Sequence, residues 1–241
     1  MRIAVLSDIH SNLEALDSVL KRIEEDGIDE ILCAGDLVGY GADPNECVER
    51  VKKCSSAVVC GNHDYAAVGL ADPDFFNSVA RNAVVWTGEQ LTESNKNYLI
   101  KLPLSLSRDG FRLVHASPSR PEKWNYIFHT VEANRELHSF GEKVCFIGHS
   151  HKPIFFRSDG IDCRMSSEES IEFKDNERYL VNVGSVGQPR DGDPRACFAV
   201  YSPDEGWVKL IRIAYDIQAA QKKMALAGLP RVLAERLSYG Q

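Results

Sequence analysis

The chain has 241 residues, 44% of them hydrophobic, and a formal net charge of -7, a profile that fits one ordinary globular core. No basic run stands out, so no nucleic acid is expected as a stable partner, and no apolar stretch nears the ~20 residues of a membrane span. Met1-Arg2 leads straight into an apolar run that Asp8 interrupts, too early for a secretory leader, and seven cysteines without a Cys-x-x-Cys pair suit small buried hydrophobes of a reducing, cytoplasmic location.

Ile3 to Leu6 reads as a buried strand that stops at Ser7-Asp8-Ile9-His10. Ser11-Asn12 caps a helix whose Leu13, Leu16, Leu20 and Ile23 recur at helical spacing, and Gly27 ends it. A second strand begins at Glu30 and ends at Gly35-Asp36. Beyond the Gly39 to Pro44 loop, Pro44 opens a helix through about Lys53. A third strand from Ala57 ends at Gly61, just before Asn62-His63-Asp64. This alternation predicts parallel strands joined by right-handed crossovers. Residues 65–101 lack strand signals and read as two helices around a break at Ala71-Asp72-Pro73-Asp74.

From Leu104 short strands dominate: Leu104 to Ser107, Phe111 to Ala116, Lys143 to Ile147, Ile154 to Arg157, Tyr179 to Val183, Ala196 to Tyr201 and Val208 to Ile213. A helix is expected from about Val131, and residues 214–241 read as helical with an interruption at Gly228-Leu229-Pro230. The reading is a single domain over residues 1–241, with an N-terminal α/β half packed face to face on a C-terminal β-rich half.

Five of these strands deliver acid-base or metal-ligand side chains at their C-terminal ends: Asp8 and His10, Asp36, Asn62 and His63, His115, and His149 with His151. Sites in α/β sheets form at that edge, so the five ends are expected to converge. Imidazole and carboxylate without thiolate suit Mn, Fe, Zn or Co rather than Ca. The set is too large for one tetrahedral ion and natural for two ions sharing a carboxylate. Two dications against two carboxylates and a hydroxide leave a net charge of about +1, which attracts a phosphate even in an acidic protein. Taken singly the motifs are weak: Asp8-Ile9-His10 is more often a turn, Gly35-Asp36 a strand terminus, and Asn62 and Asp64 turn formers. The ordered set is the signal.

The blocks Asp8-Ile9-His10, Gly35-Asp36, Gly61-Asn62-His63-Asp64, His115 and Gly148-His149-Ser150-His151 resemble the signature of the calcineurin-like metallophosphoesterase superfamily. His115-Ala116-Ser117-Pro118 and the run from Asn182 to Arg190 are similar to its small bacterial and archaeal branch. The resemblance implies an α/β fold, a four-layer α/β/β/α sandwich of two mixed β-sheets flanked by helices. It implies that Asp8, His10 and His151 hold one metal, that Asn62, His115 and His149 complete a second, and that Asp36 bridges them. It assigns His63 to the substrate phosphate or the leaving alkoxide, with Asp64 orienting it. The cofactors are then two divalent transition-metal ions, Mn foremost, with Fe, Zn, Co or Ni as alternatives.

The expected activity is phosphoester hydrolysis by a metal-bridging hydroxide attacking phosphorus directly, with a small phosphoester as partner and no membrane. Arg190 is the one cation the sequence places beside the motifs; it suits a phosphate oxygen or a structural ion pair. Trp124, Tyr126 and Phe128 fit a substrate cleft or core packing equally well, and His129 and His138 read as surface residues. With Arg190 alone to neutralise charge, a phosphodiester is expected over a monoester, so bis-p-nitrophenyl phosphate should outrun p-nitrophenyl phosphate. The alternatives are a phosphomonoesterase or protein phosphatase, a dinucleoside-polyphosphate hydrolase, or, from another class, a non-catalytic scaffold or sensor such as this superfamily supplies to the retromer coat. Retention of His63 with the complete ligand set favours an enzyme.

Overall fold

The structure is a computed structural model that describes residues 1–108 and 110–241. The N-terminal part runs β1 (Ile3–Leu6), α1 (Leu13–Glu25), β2 (Glu30–Cys33), α2 (Pro44–Cys54), β3 (Ala57–Val58), α3 (Asn62–Ala67), α4 (Ser78–Gln90) and α5 (Glu93–Ile100). There follow β4 (Ser105–Arg108), β5 (Phe111–Val114), α6 (Thr130–Leu137), β6 (Val144–Ile147), β7 (Ile154–Ser158), β8 (Cys163–Ser166), β9 (Ser170–Glu172) and β10 (Arg178–Asn182). The chain closes with β11 (Ala196–Ser202), β12 (Trp207–Ile213), α7 (Ile217–Leu226), α8 (Arg231–Glu235) and a 3-10 turn over Arg236–Tyr239. No helix among the described residues is long and apolar enough to cross a membrane.

Local chemistry sets most boundaries. Asn12 caps α1 by accepting from the Ala15 N–H at 3.2 Å, and Pro44 opens α2 at a position whose N–H has no helical partner. Between residues 65 and 101 the expected second helix is two, α4 and α5, because Thr92 breaks in and caps α5 through the Asn95 N–H at 3.3 Å. Strands β8 and β9 were not expected. Both lie at sheet edges, where only one neighbour supports them and the alternation of buried residues is weak.

Two six-stranded mixed sheets form, in the orders β3-β2-β1-β11-β12-β9 and β4-β5-β6-β10-β7-β8. β1, β2 and β3 are parallel, as are β5, β6 and β10. The division into an N-terminal and a C-terminal half is corrected here: β11 pairs antiparallel with β1, so the last hairpin belongs to the first sheet. A central strand buried on both faces cannot leave an edge of backbone N–H and C=O groups unpaired, and β11 satisfies it.

Residues alternate between layers. Ile3 and Val5 face Phe111, Phe146 and Tyr179 in the core between the sheets, while Ala4 and Leu6 lie under Leu16 and Val19 of α1. On the second sheet Cys145 and Ile147 face Ala133 and Leu137 of α6. The layers are therefore helix, sheet, sheet, helix.

Phe146 is fully buried between the sheets. Phe146→Ala should cost about 3–5 kcal/mol in urea unfolding, whereas Met165→Ala on the exposed face of β8 should stay within about 0.5 kcal/mol. Similar losses for the two would contradict the layer assignment.

Candidate metal centre and substrate cleft

The C-terminal ends of β1, β2 and β3 in one sheet and of β5 and β6 in the other meet at one place. Ligand atoms of Asp8, His10 and His151 lie within 4.8 Å of one another, as do those of Asp36, His115 and His149, and those of His10, Asp36 and His63. Asp36 and His10 each belong to two of these groups, which interlocks them. All eight side chains are buried except Asn62, which is half-buried with its Oδ1 3.2 Å from His115 Nε2.

The backbone is bent sharply to bring them there. Asp8, His10, Asp36, His149 and His151 all have φ between 50° and 65°, a left-handed conformation that costs of order 1–3 kcal/mol for each such residue. Glycines make room beside the carboxylates. A Cβ at Gly61 would lie 2.0 Å from Asp36 Oδ1, and one at Gly148 2.2 Å from Asp8 Oδ2.

Hydrogen bonds fix the protonation of three imidazoles. Nδ1 of His10 meets the Val38 carbonyl at 3.1 Å, Nδ1 of His115 the Ala34 carbonyl at 2.8 Å, and Nδ1 of His151 the Gln188 carbonyl at 2.6 Å. A carbonyl oxygen only accepts, so each Nδ1 carries a proton and each neutral ring presents a lone pair at Nε2. Those lone pairs face one another and the carboxylates: His10 Nε2 is 3.1 Å from His151 Nε2, His115 Nε2 3.3 Å from Asp36 Oδ2, and His151 Nε2 3.2 Å from Asp8 Oδ1. Asp8 Oδ1 and His149 Nε2 are buried without a hydrogen-bond partner. Ring nitrogens and carboxylate oxygens converge, and apart from the imidazoles themselves no side-chain cation lies among them. This donor set fits borderline divalent cations, with backbone carbonyls as the outer partners that hold each imidazole.

The electrostatics state the same demand. Burial alone would raise the Asp8 carboxyl, yet His151, His10 and His115 hold it well below the usual carboxylate range. Burial opposes charge on His115, but Asp36 and Asp8 raise its pKa to about 9. Burial and the neighbouring His115 lower His149 to about 3.

His63 lies at the rim. Its backbone N–H donates to Asp36 Oδ1 at 2.8 Å, and its ring packs 4.4 Å from Tyr40 and 4.8 Å from Phe76. Burial holds this imidazole well below its usual pKa against the pull of Asp36. Asp64 does not orient it. The Asp64 carboxylate accepts from the N–H groups of Val38 at 3.1 Å and Gly61 at 3.0 Å, so it fastens two loops instead.

A cleft of about 810 Å³ opens in front of His63, Asn62 and His149. Trp124 and Tyr126 line it; Tyr126 stacks on His149 at 4.0 Å and on Phe128 at 5.2 Å. Arg190 lines it too, without an ion pair among the described residues: its Nη2 donates to Gln188 Oε1 at 2.9 Å. The sequence offered Arg190 as the one nearby cation, and this is corrected by Arg236, which donates to the same oxygen at 2.6 Å. No motif marks Arg236; only the fold of α7 and α8 carries it there. His129 and His138 sit exposed at the two ends of α6, away from the cluster.

A metallophosphoesterase from Sphaerobacter thermophilus has a crystal structure that matches this chain with a TM-score of 0.89 at 40% identity, covering 100% of this chain and 99% of that one. An uncharacterized protein of Methanocaldococcus jannaschii is 40% identical over 99% of this chain and 98% of its own length. A symmetrical bis(5'-nucleosyl)-tetraphosphatase of Actinobacillus pleuropneumoniae is 30% identical, over 83% of this chain and 73% of its own length. The calcineurin-like phosphoesterase superfamily domain matches residues 1–206, and the chain belongs to that superfamily.

Proposed function

We propose that this chain is a metal-dependent phosphoester hydrolase in which Asp8, His10 and His151 hold one divalent ion, Asn62, His115 and His149 a second, and Asp36 both. The observation that carries the reading is the convergence of the buried Nε2 atoms of His10, His115 and His151 on the carboxylates of Asp8 and Asp36, with His149 Nε2 buried and unpartnered beside them. Bound there, two such ions supply Lewis-acid polarisation of phosphoryl oxygens and acidify a water to serve as nucleophile. Mn is the foremost candidate.

The remaining work falls to protein groups. His63 faces the cleft beside Asp36 and is positioned to hydrogen-bond the phosphoryl group or to protonate a leaving alkoxide. Arg190 pairs with a phosphate oxygen. The aromatic wall of Trp124 and Tyr126 receives the organic part of the substrate. Arg236 removes the ground for preferring a diester, since the cleft holds two guanidiniums where one was expected. Phosphate anhydrides therefore stand beside esters as substrates, a reading also favoured by the likeness to a bis(5'-nucleosyl)-tetraphosphatase.

Purified protein should carry about two transition-metal ions per chain, and a chelator should abolish hydrolysis of p-nitrophenyl esters until Mn is returned. Asp36→Asn should be the most damaging ligand change in both metal content and turnover. Undiminished activity in metal-stripped protein would sink the mechanism.

His63→Ala should keep its metal while turnover falls by about 10²–10⁴-fold, the usual contribution of a positioned acid. His115→Ala and His149→Ala should lose metal and activity together, as read by elemental analysis. Equal metal loss in all three variants would remove the separate role given to His63.

A further inference from the structure

Arg190 and Arg236 occupy adjoining positions in the cleft, each with its guanidinium over the Tyr40 ring, 5.5 and 5.4 Å from the centroid. The other neighbours of that ring are His10 at 4.6 Å and His63 at 4.4 Å. One aromatic ring therefore touches both the ligand cluster and the arginine pair. Two like charges so close repel, and burial with the Arg190 charge lowers Arg236 to about 10. Neither has an Asp or Glu within ion-pair distance among the described residues. Their common partner is Gln188 Oε1, and Arg236 Nε donates to the main-chain oxygen of Gln241 at 2.7 Å. Two further donors, Arg190 Nε and Gln188 Nε2, are buried with no acceptor. Among the described residues donors outnumber acceptors here, and no Asp or Glu pairs with them. Arg236 also lies outside residues 1–206, the span matched by the family domain.

The wall of this cleft adds a second observation. Tyr126 on it is 48% exposed, with Phe128 stacked against it within 9° of parallel, and Phe75, which also lines the cleft, is 89% exposed. Flat aromatic surface open to solvent beside a cationic pair suits a heteroaromatic base joined to phosphates.

We propose that Arg190 and Arg236 form a second phosphate subsite, and that the substrate is a nucleoside polyphosphate whose scissile phosphoryl group meets the Asp–His cluster while the neighbouring phosphate lies between the guanidiniums. This rests on the hydrolase reading above and narrows its substrate to an anhydride. One water is consumed: its oxygen bonds to the attacked phosphorus, the bridging oxygen leaves with the other phosphate, and the water's protons pass to products and buffer. The arginines offset the negative charge that develops on that leaving phosphate.

The metal-loaded full chain, with Arg236→Ala and Arg236→Lys variants, tests this in two ways. Calorimetric titration with inorganic tripolyphosphate should show Kd rising about tenfold or more in Arg236→Ala, the loss of one charge-assisted hydrogen-bonding group. The Lys variant should recover part of that affinity, keeping the charge without the planar fork. In turnover, Arg236→Ala should depress kcat/KM for diadenosine tetraphosphate about tenfold more than for bis-p-nitrophenyl phosphate, chiefly through KM. Unchanged tripolyphosphate affinity, or equal losses on the two substrates, would overturn the subsite. If the wild-type chain hydrolyses neither compound, the hydrolase reading falls, and the titration still decides the arginines.

Discussion

Lone pairs of three imidazoles and two carboxylates aimed into one buried volume repel each other unless a cation lies between them. Much of this chain is arranged around that constraint. Each of His10, His115 and His151 is held in one tautomer by a backbone carbonyl, so none can turn its N–H inward to relieve the crowding. Five residues of the cluster sit in left-handed backbone conformations that a bulky side chain ordinarily avoids. Such an arrangement persists only where surrounding structure over-determines it.

That surrounding structure is the pair of sheets and the loop that ties them. Asp8 leaves the first sheet and His149 the second, and the His149 N–H donates to Asp8 Oδ2 at 2.9 Å across the gap. The segment from Gly184 to Arg190 returns from β10 and locks onto the same place. Its Val186 and Gly187 N–H groups donate to the carbonyls of Ser7 and Asp8 at 3.0 and 2.9 Å. Its Ser185 hydroxyl donates to the Asp8 carbonyl at 2.8 Å. The Gln188 carbonyl then orients His151, while the Gln188 side chain gathers the two arginines. One loop thus sets the geometry of the ligand cluster and of the anion subsite proposed beside it.

The residues of the cluster were legible in the sequence because strand ends repeat a simple pattern, an apolar run that stops at a ligand-type side chain. Their convergence follows from the geometry of parallel strands, which places all C-terminal ends on one edge. What stayed hidden was set by contacts between distant segments. The pairing of β11 with β1 leaves no local mark, since Ala196 to Ser202 reads equally well as a strand of either sheet. The short edge strands β8 and β9 have too little burial to impose a period. Asp64, adjacent to His63 in the chain, turned out to bond two backbone N–H groups, a role that nearness in sequence does not reveal.

Arg236 is the instructive omission. It sits on a one-turn 3-10 element near the end of the chain, with no motif around it. Its position is fixed by Ala220 and Met224 of α7 and Leu233 of α8, which with Leu237 of the 3-10 turn itself pack with Tyr40 and Ala83. Lys223 of α7 fastens the same segment by pairing with Glu14 at 2.6 Å and Asp43 at 2.9 Å. A hydrophobic contact between distant segments thereby carries a guanidinium into the cleft. The outcome is two neighbouring clusters of opposite need, acceptors wanting a cation around Asp8 and Asp36, donors wanting an anion around Arg190 and Arg236. Tyr40 touches both, its ring 4.6 Å from His10 and within 5.5 Å of both guanidiniums. A phosphate chain with divalent cations held by the Asp–His cluster would meet both sets of groups at once, which neither a bare cation nor a single phosphate group would do.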